Sequence, residues 1–441
     1  MYRSILPRTA AALVATLIVT ACADDPTRPM QPAASRDIAD GLPEQGWEGT
    51  GVFHRYVAIG TSVSEGWHSD GVNAEFQRTS WPAQLARLAR REIPLPLVAS
   101  PGCGAPLASP LASGLRISGE PAAAPFLSRV CSPNEPDAVL SDGNVAISGA
   151  RTIHALTATP ENPDPNYAPL YARTLLPGMS QVTSMEARNP KVVSVELGAN
   201  EVLGVRNGAV VAGQTVVPVQ VWAPQYHEVV ERVAAVAKHA VLVGLIDHAI
   251  SLPSFRTGAE LWAARATFTP LYVQVSDDCA TAPGSENVMF VAVRVPVAAA
   301  TGAARFRAGL SPAVLSCANA PATDANGIAI QDYVLSSAEL AQADAQFAAM
   351  NAIVRAEAAS HGFAYFALSA LYEGAVTKAP FNAVTLMTSA QPYGPYISLD
   401  GLHPSAEGSR VLADAAAGAL NATYHLGIPT RDALATLLAR R

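Results

Sequence analysis

Four short apolar runs, at 56–59, 192–197, 240–246 and 363–368, are separated by longer stretches in which apolar residues recur at helical spacing. Runs of this length without alternation fit strands covered on both faces, while three- and four-residue recurrence marks amphipathic helices. Helices are expected at 81–91, 225–238, 337–360 and 405–420. Strands alternating with helices predict a parallel sheet with helices on both faces. The expected architecture is α/β, a three-layer α/β/α flavodoxin-like fold with a mostly parallel sheet and long loop insertions. The insertions fall at about 94–142 and at 203–333, and in them 94–142, 203–224 and 251–333 are rich in Pro, Gly and Ala and read as loops or a cap. A last helix is expected at 430–440, as packing or a surface element.

The N-terminus follows a different pattern. Arg3 and Arg8 precede an apolar stretch, 10–19, and then Thr20, Ala21 and Cys22. The stretch is short for a membrane span and has the charged start, apolar centre and small-residue exit of a secretory signal. Val19-Thr20-Ala21-Cys22 also reads as a bacterial lipobox, which makes Cys22 the lipid-carrying first residue of the mature chain. Residues 1–21 are then a lipoprotein-type signal peptide, 22–50 a Pro-, Asp- and Gln-rich tether, and 51–441 the domain. On this reading the protein is an exported bacterial envelope lipoprotein, periplasmic or associated with the outer membrane and held there through Cys22.

Composition narrows the partners. In 441 residues half are apolar and 15% charged, enough to bury a large core, and the net charge of −7 with no basic tract argues against nucleic acid. Without Cys22, four cysteines remain, Cys103, Cys131, Cys279 and Cys317, which in an exported chain allow three disulfide pairings. Pairing neighbours in sequence would join Cys103 to Cys131 and Cys279 to Cys317. No Cys-x-x-Cys pair or His cluster gives the spacing of a metal site.

The candidate chemistry lies at the ends of the strand-like runs. Ser62, in Gly60-Thr61-Ser62-Val63-Ser64-Glu65-Gly66, sits at a strand-to-loop or strand-to-helix corner, where sites form in open α/β sheets. Asp400 and His403, in Asp400-Gly401-Leu402-His403-Pro404, are close enough in sequence for the carboxylate to hold the imidazole in a turn before the last long helix. A hydroxyl becomes a strong nucleophile when a base takes its proton and a carboxylate orients that base. Asn200, in Gly198-Ala199-Asn200-Glu201, ends a second strand, and Gly149 follows Asn144-Val145-Ala146-Ile147-Ser148. An amide side chain and a backbone N–H are the donors an oxyanion needs.

These four blocks, in this order, resemble those of the SGNH hydrolases, also called GDSL lipases and esterases, over roughly 51–420. The resemblance implies that Ser62 is nucleophile and oxyanion donor, that Gly149 and Asn200 complete the oxyanion hole, and that His403 is the base oriented by Asp400. It implies an ester hydrolase working through an acyl-enzyme, with neither metal nor organic cofactor and with a small-molecule, lipid or glycan ester as substrate. It equally admits a carbohydrate O-deacetylase or an acyltransferase. Two positions depart from the family pattern: Thr61 stands where aspartate usually precedes the serine, and Glu201 where the third block usually ends in aspartate. A non-catalytic envelope-binding lipoprotein is the reading those departures favour. Trp67, His68, Tyr393 and Tyr396 are read as packing residues, Glu65 as a solvated loop acid, and His54, His154, His227, His239 and His248 carry no assigned role.

Overall fold

The computed structural model describes residues 48–280, 286–319 and 332–430. The signal stretch, Cys22 and the helix expected at 430–440 lie outside the described residues, apart from Thr430. The described residues open on a 3-10 helix, Glu48–Arg55, which overlaps the end of the expected tether.

The central sheet is built from β1 (Tyr56–Gly60), β2 (Val192–Glu196), β3 (His239–Gly244) and the later strand β9 (Ala364–Ala367), all parallel, in the order β1-β2-β3-β9. Residues 144–147 run beside the free edge of β1. Ala58 donates to the Gly143 carbonyl, Val145 to that of Ala58, and Ile147 to that of Gly60. Counting this edge as the second strand in chain order gives the flavodoxin-like order 2-1-3-4-5, in which ligands bind beyond the strand C-termini.

Every residue of β1 and β2 is buried, as expected of parallel strands covered on both faces. Helices Trp81–Leu88 and Ala406–Tyr424 pack together on one face. Gln181–Arg188, Val219–Val236 and Ser337–His361 cover the other. The second of these starts six residues before the expected 225 and runs through Pro224. A proline inside a helix removes one hydrogen bond and costs about 3 kcal/mol. Here burial of Trp222, Tyr226, Val229, Val230 and Val233, with Trp222 Nε1 donating to Thr152 Oγ1, outweighs that cost.

The insertions differ from expectation in one respect. Residues 94–142 carry only 3-10 turns and isolated bridges, but the range 203–333 is no single insertion of loops: Val219–Val236 and β3 within it belong to the core, and the rest is more than loops. It holds strands β4 (Phe255–Thr257), β5 (Val273–Val275), β6 (Val288–Phe290) and β7 (Ala313–Leu315), and β8 (Val334–Leu335) follows at once. These form an antiparallel sheet β4-β6-β8 and a parallel pair β5-β7, beside helix Val291–Arg307. Their strands of two or three residues are too short to show periodicity. Disulfides join Cys103 to Cys131 in the first insertion and Cys279 to Cys317 in the second. Among the described residues no helix is long and apolar enough to cross a membrane.

Candidate active site

Ser62 opens the short helix Ser62–Glu65 directly after β1, at the C-terminal edge of the sheet. As the first helical residue its N–H has no intrahelical acceptor. Asp400 and His403 come from the turn before helix Ala406–Tyr424. There Asp400 Oδ1 accepts the backbone N–H groups of Leu402 and His403, which closes the turn locally. His403 Nδ1 lies 2.8 Å from Asp400 Oδ2, and His403 Nε2 lies 2.9 Å from Ser62 Oγ. Ser62, 341 positions from His403 in the chain, therefore joins Asp400 and His403 in one hydrogen-bonded line.

Asp400 is held from outside the turn as well. Ser398 Oγ donates to its Oδ1, and the backbone N–H of Asp70 donates to its Oδ2 at 2.7 Å. Burial alone would raise the Asp400 pKa, but the His403 ring and the two backbone donors outweigh it and hold the carboxyl well below its usual range. The acid thus stays ionised to orient the imidazole. His68 sits behind this line, its ring stacked on Phe76 with centroids 4.1 Å apart. Burial lowers its pKa to about 4, against the pull of Asp400 and with the push of His403, so it stays neutral.

Gly149 and Asn200 reach the same edge from the neighbouring strands. Gly149 has φ of +78°, and a Cβ there would lie 2.1 Å from the Tyr167 ring, so only glycine fits. No described residue accepts from its N–H. The residues on either side are tied down: Ser148 N–H donates to Glu65 Oε2, and the Ala150 carbonyl accepts from Asn200 Nδ2 at 2.8 Å. Asn200 keeps a second amide hydrogen and lines the same pocket as Ser62 and His403.

The model of the GDSL-like lipase/acylhydrolase family matches residues 56–416. The chain belongs to this family. No curated protein matches it. Similar solved structures include an extracellular lipase from Streptomyces rimosus, 14% identical over 82% of this chain and 99% of that one, with a TM-score of 0.34. A mutant of an acetyl-xylooligosaccharide esterase from Geobacillus Stearmophilus is 10% identical over 83% and 93%, with a TM-score of 0.33. The assignment rests on the family match, which makes the chain a GDSL-type ester hydrolase by class.

Within this GDSL site, the two departures from the family pattern have local partners. Thr61 N–H and Oγ1 both donate to the carboxylate of Glu196, at the end of β2, which also accepts from Ser64 Oγ. An aspartate at 61 would face that carboxylate as a like charge. Glu201 is 1% exposed, and its Oε1 accepts Thr152 N–H at 2.6 Å. Its extra methylene gives the reach to that neighbouring loop. Glu65 is not the solvated acid expected from sequence: it is 2% exposed, and its Oε2 accepts from both Ser148 N–H and Ser148 Oγ. Burial raises Glu65 to about 7, opposed by the Ser148 donors and His403, and raises Glu196 to about 7, opposed by Thr61 and Ser64. Glu201 is raised for the same reason. Sequence reasoning missed Glu65 and Glu196 because a lone glutamate carries no local sign of burial. The one available signal was the placement of Glu65 three residues after Ser62, one turn along the same helix.

Two walls flank the line. On one side Trp67, Phe126 and Tyr167 form an aromatic cluster, with Trp67 6.4 Å from the His403 ring and Phe126 5.1 Å from Tyr167. On the other side opens a pocket lined mainly by apolar side chains such as Val202, Leu245, Leu252, Phe255 and Phe347. Tyr393 and Tyr396 do not line this pocket. Tyr393 packs against Gly401. Of the histidines given no role, His154, His227 and His248 face carboxylates away from the site. The cluster Asp278, Cys279 and Cys317 has ligand-like proximity, but both sulfurs are joined in a disulfide.

Proposed function

We propose that the protein is a serine hydrolase of carboxylic esters that works through an acyl-enzyme. Ser62 Oγ attacks the ester carbonyl while His403 Nε2 takes its proton, and Asp400 stabilises the imidazolium that forms. The oxyanion is bound by the N–H groups of Ser62 and Gly149 and by the Asn200 amide. The alcohol leaves with the proton from His403. A water activated by His403 then attacks the acyl-Ser62 carbonyl and releases the acid. The observation that carries this reading is the placement of His403 between Asp400 and Ser62 at 2.8 and 2.9 Å. The same geometry speaks against a binding-only protein, and the contacts of Thr61 and Glu201 remove the reason for suspecting one.

The apolar lining of the pocket favours an aliphatic acyl chain over acetyl groups on sugars. Each buried methylene contributes about 0.8 kcal/mol, about fourfold in kcat/KM. Across nitrophenyl esters from acetate to octanoate, kcat/KM should rise with chain length, and Ser62→Ala should lose at least ~10³-fold on all of them. A preference for acetate would overturn the acyl reading, and a Ser62→Ala protein of undiminished rate would remove the serine from the reaction.

We also propose that the enzyme is exported and lipidated at Cys22. The signal-like N-terminus motivates this, and two disulfides fit an oxidising compartment. Cells expressing the full chain should incorporate labelled palmitate into it and lose that label on Cys22→Ser; equal labelling of both would refute lipidation there.

A further inference from the structure

The pocket beside Ser62 contains one fixed cation. Arg206 lies on the 3-10 turn Leu203–Asn207 and lines the pocket together with Ser62, Asn200 and His403. It is half-buried, and among the described residues no group accepts any of its N–H bonds. Arg116, Arg129 and Arg256 behave differently, each spending its donors on a carboxylate and on backbone carbonyls. A guanidinium carries five donors, and none of the Arg206 nitrogens is buried, so these unpaired donors open to solvent and are free to meet a ligand.

The turn that carries Arg206 is firmly placed. Val205 is buried beside it, Gly208 N–H donates to the Val205 carbonyl, and Tyr333 N–H donates to the Asn207 carbonyl. No carboxylate lines the pocket. The charge is also felt across the mouth at Tyr167, the ring that packs on Gly149: burial raises that phenol's pKa, and Arg206 pulls it down. The cation therefore lines the same pocket that Ser62, Asn200 and His403 open onto.

We propose that Arg206 recognises an oxyanion carried by the ester, so that the preferred substrate is an anionic amphiphile with an apolar acyl chain and a phosphate or carboxylate within reach of the guanidinium. This rests on the reading of Ser62 as nucleophile, because it places the scissile ester beside that residue. Arginine suits the task because its planar fork meets phosphate and carboxylate oxygens in pairs.

The test uses two pairs of substrates at matched chain length, below their micellar concentrations. One pair is 1-acylglycerol 3-phosphate against 1-acylglycerol, which puts the anion on the alcohol. The other is the nitrophenyl monoester of suberic acid against nitrophenyl octanoate, which puts it on the acyl end. The wild-type enzyme should prefer the anionic member of at least one pair, and which pair it prefers tells phosphate on the alcohol from carboxylate on the acyl chain. Arg206→Gln should lower kcat/KM for that anionic ester by ~10- to 100-fold, mainly through KM, and leave its neutral counterpart within about threefold. Arg206→Lys should recover part of the loss, and added salt should weaken the wild-type preference. Equal kcat/KM within both pairs, or an equal loss on anionic and neutral esters in Arg206→Gln, overturns the proposal. Failure of the Ser62 reading looks different: neutral esters would then still be hydrolysed by Ser62→Ala.

Discussion

The two insertions flank the same serine but are built on different physics. Residues 94–142 have almost no regular structure, and what orders them is the Cys103–Cys131 disulfide together with polar contacts converging on one buried cation. Arg116, 2% exposed, donates to the carbonyls of Asp70, Ala105 and Ala122 and to the Asp70 carboxylate. Arg129 adds a second ion pair to Asp70 at 2.9 Å. The second insertion, 203–218 and 251–333 on either side of the core elements Val219–Val236 and β3, makes small sheets and a 17-residue helix, and it turns apolar side chains such as Val205, Leu252 and Phe255 toward the pocket. The contacts of the first insertion end on the line of Asp400, His403 and Ser62, since the N–H of Asp70 is bonded to Asp400. Those of the second end on the pocket. The first should therefore govern turnover and the second the choice of substrate.

Arg116→Met is the strongest way to break that division. Methionine keeps much of the side-chain volume but strands the Ala105 and Ala122 carbonyls and half of the Asp70 pairing, a loss of about 2–3 kcal/mol in stability. Asp70 is then free to shift, and with it a donor to Asp400. Misplacing a catalytic group by about 1 Å can cost ~10²-fold. We expect kcat to fall 10- to 100-fold with KM within about threefold, measured on a short nitrophenyl ester at a temperature where unfolding curves show the variant folded. An unchanged kcat in a folded variant would reduce the first insertion to a staple. The Arg206→Gln experiment is the counterpart on the other side, since it should move KM and substrate preference with kcat nearly intact.

The legible parts of the molecule were those that repeat or carry a distinctive wording. The four central strands stand within two residues of the apolar runs that predicted them, because a parallel strand covered on both faces has no polar position to blur it. Ser62, Asp400 and His403 were readable from their blocks, and the parallel order β1-β2-β3-β9 explains how residues 341 positions apart meet at one sheet edge. The edge at 144–147 was not read as a strand, since its single bridge partner, Ala58, is visible only in three dimensions. The same holds for the buried acids. Glu196 and Glu65 take their partners from other blocks, and Arg116 takes its from three segments. Nothing within five residues of any of them announces the contact.

Glu196 offers the mildest and most diagnostic perturbation, because it ends β2 and belongs to neither insertion. Burial raises its pKa to about 7, against about 4.3 for an unperturbed glutamate. Between those values the folded protein holds a proton that the unfolded chain has released. Stability therefore falls as pH rises across that window. Glu65, also raised to about 7, adds a second contribution of the same sign. Glu196→Gln keeps an oxygen for Thr61 N–H but cannot titrate, so it should remove one of the two contributions, about 2 kcal/mol of the decline between pH 5 and 7. Denaturant unfolding at several pH values measures the slope directly, and a slope equal to wild type would mean that Glu196 is ionised throughout. At neutral pH kcat and the anionic-to-neutral ratio should both stay within about threefold. If this variant lowered turnover as Arg116→Met does, or shifted preference as Arg206→Gln does, those effects would follow from disturbing any part of the sheet edge, and the contrast between the insertions would not be theirs.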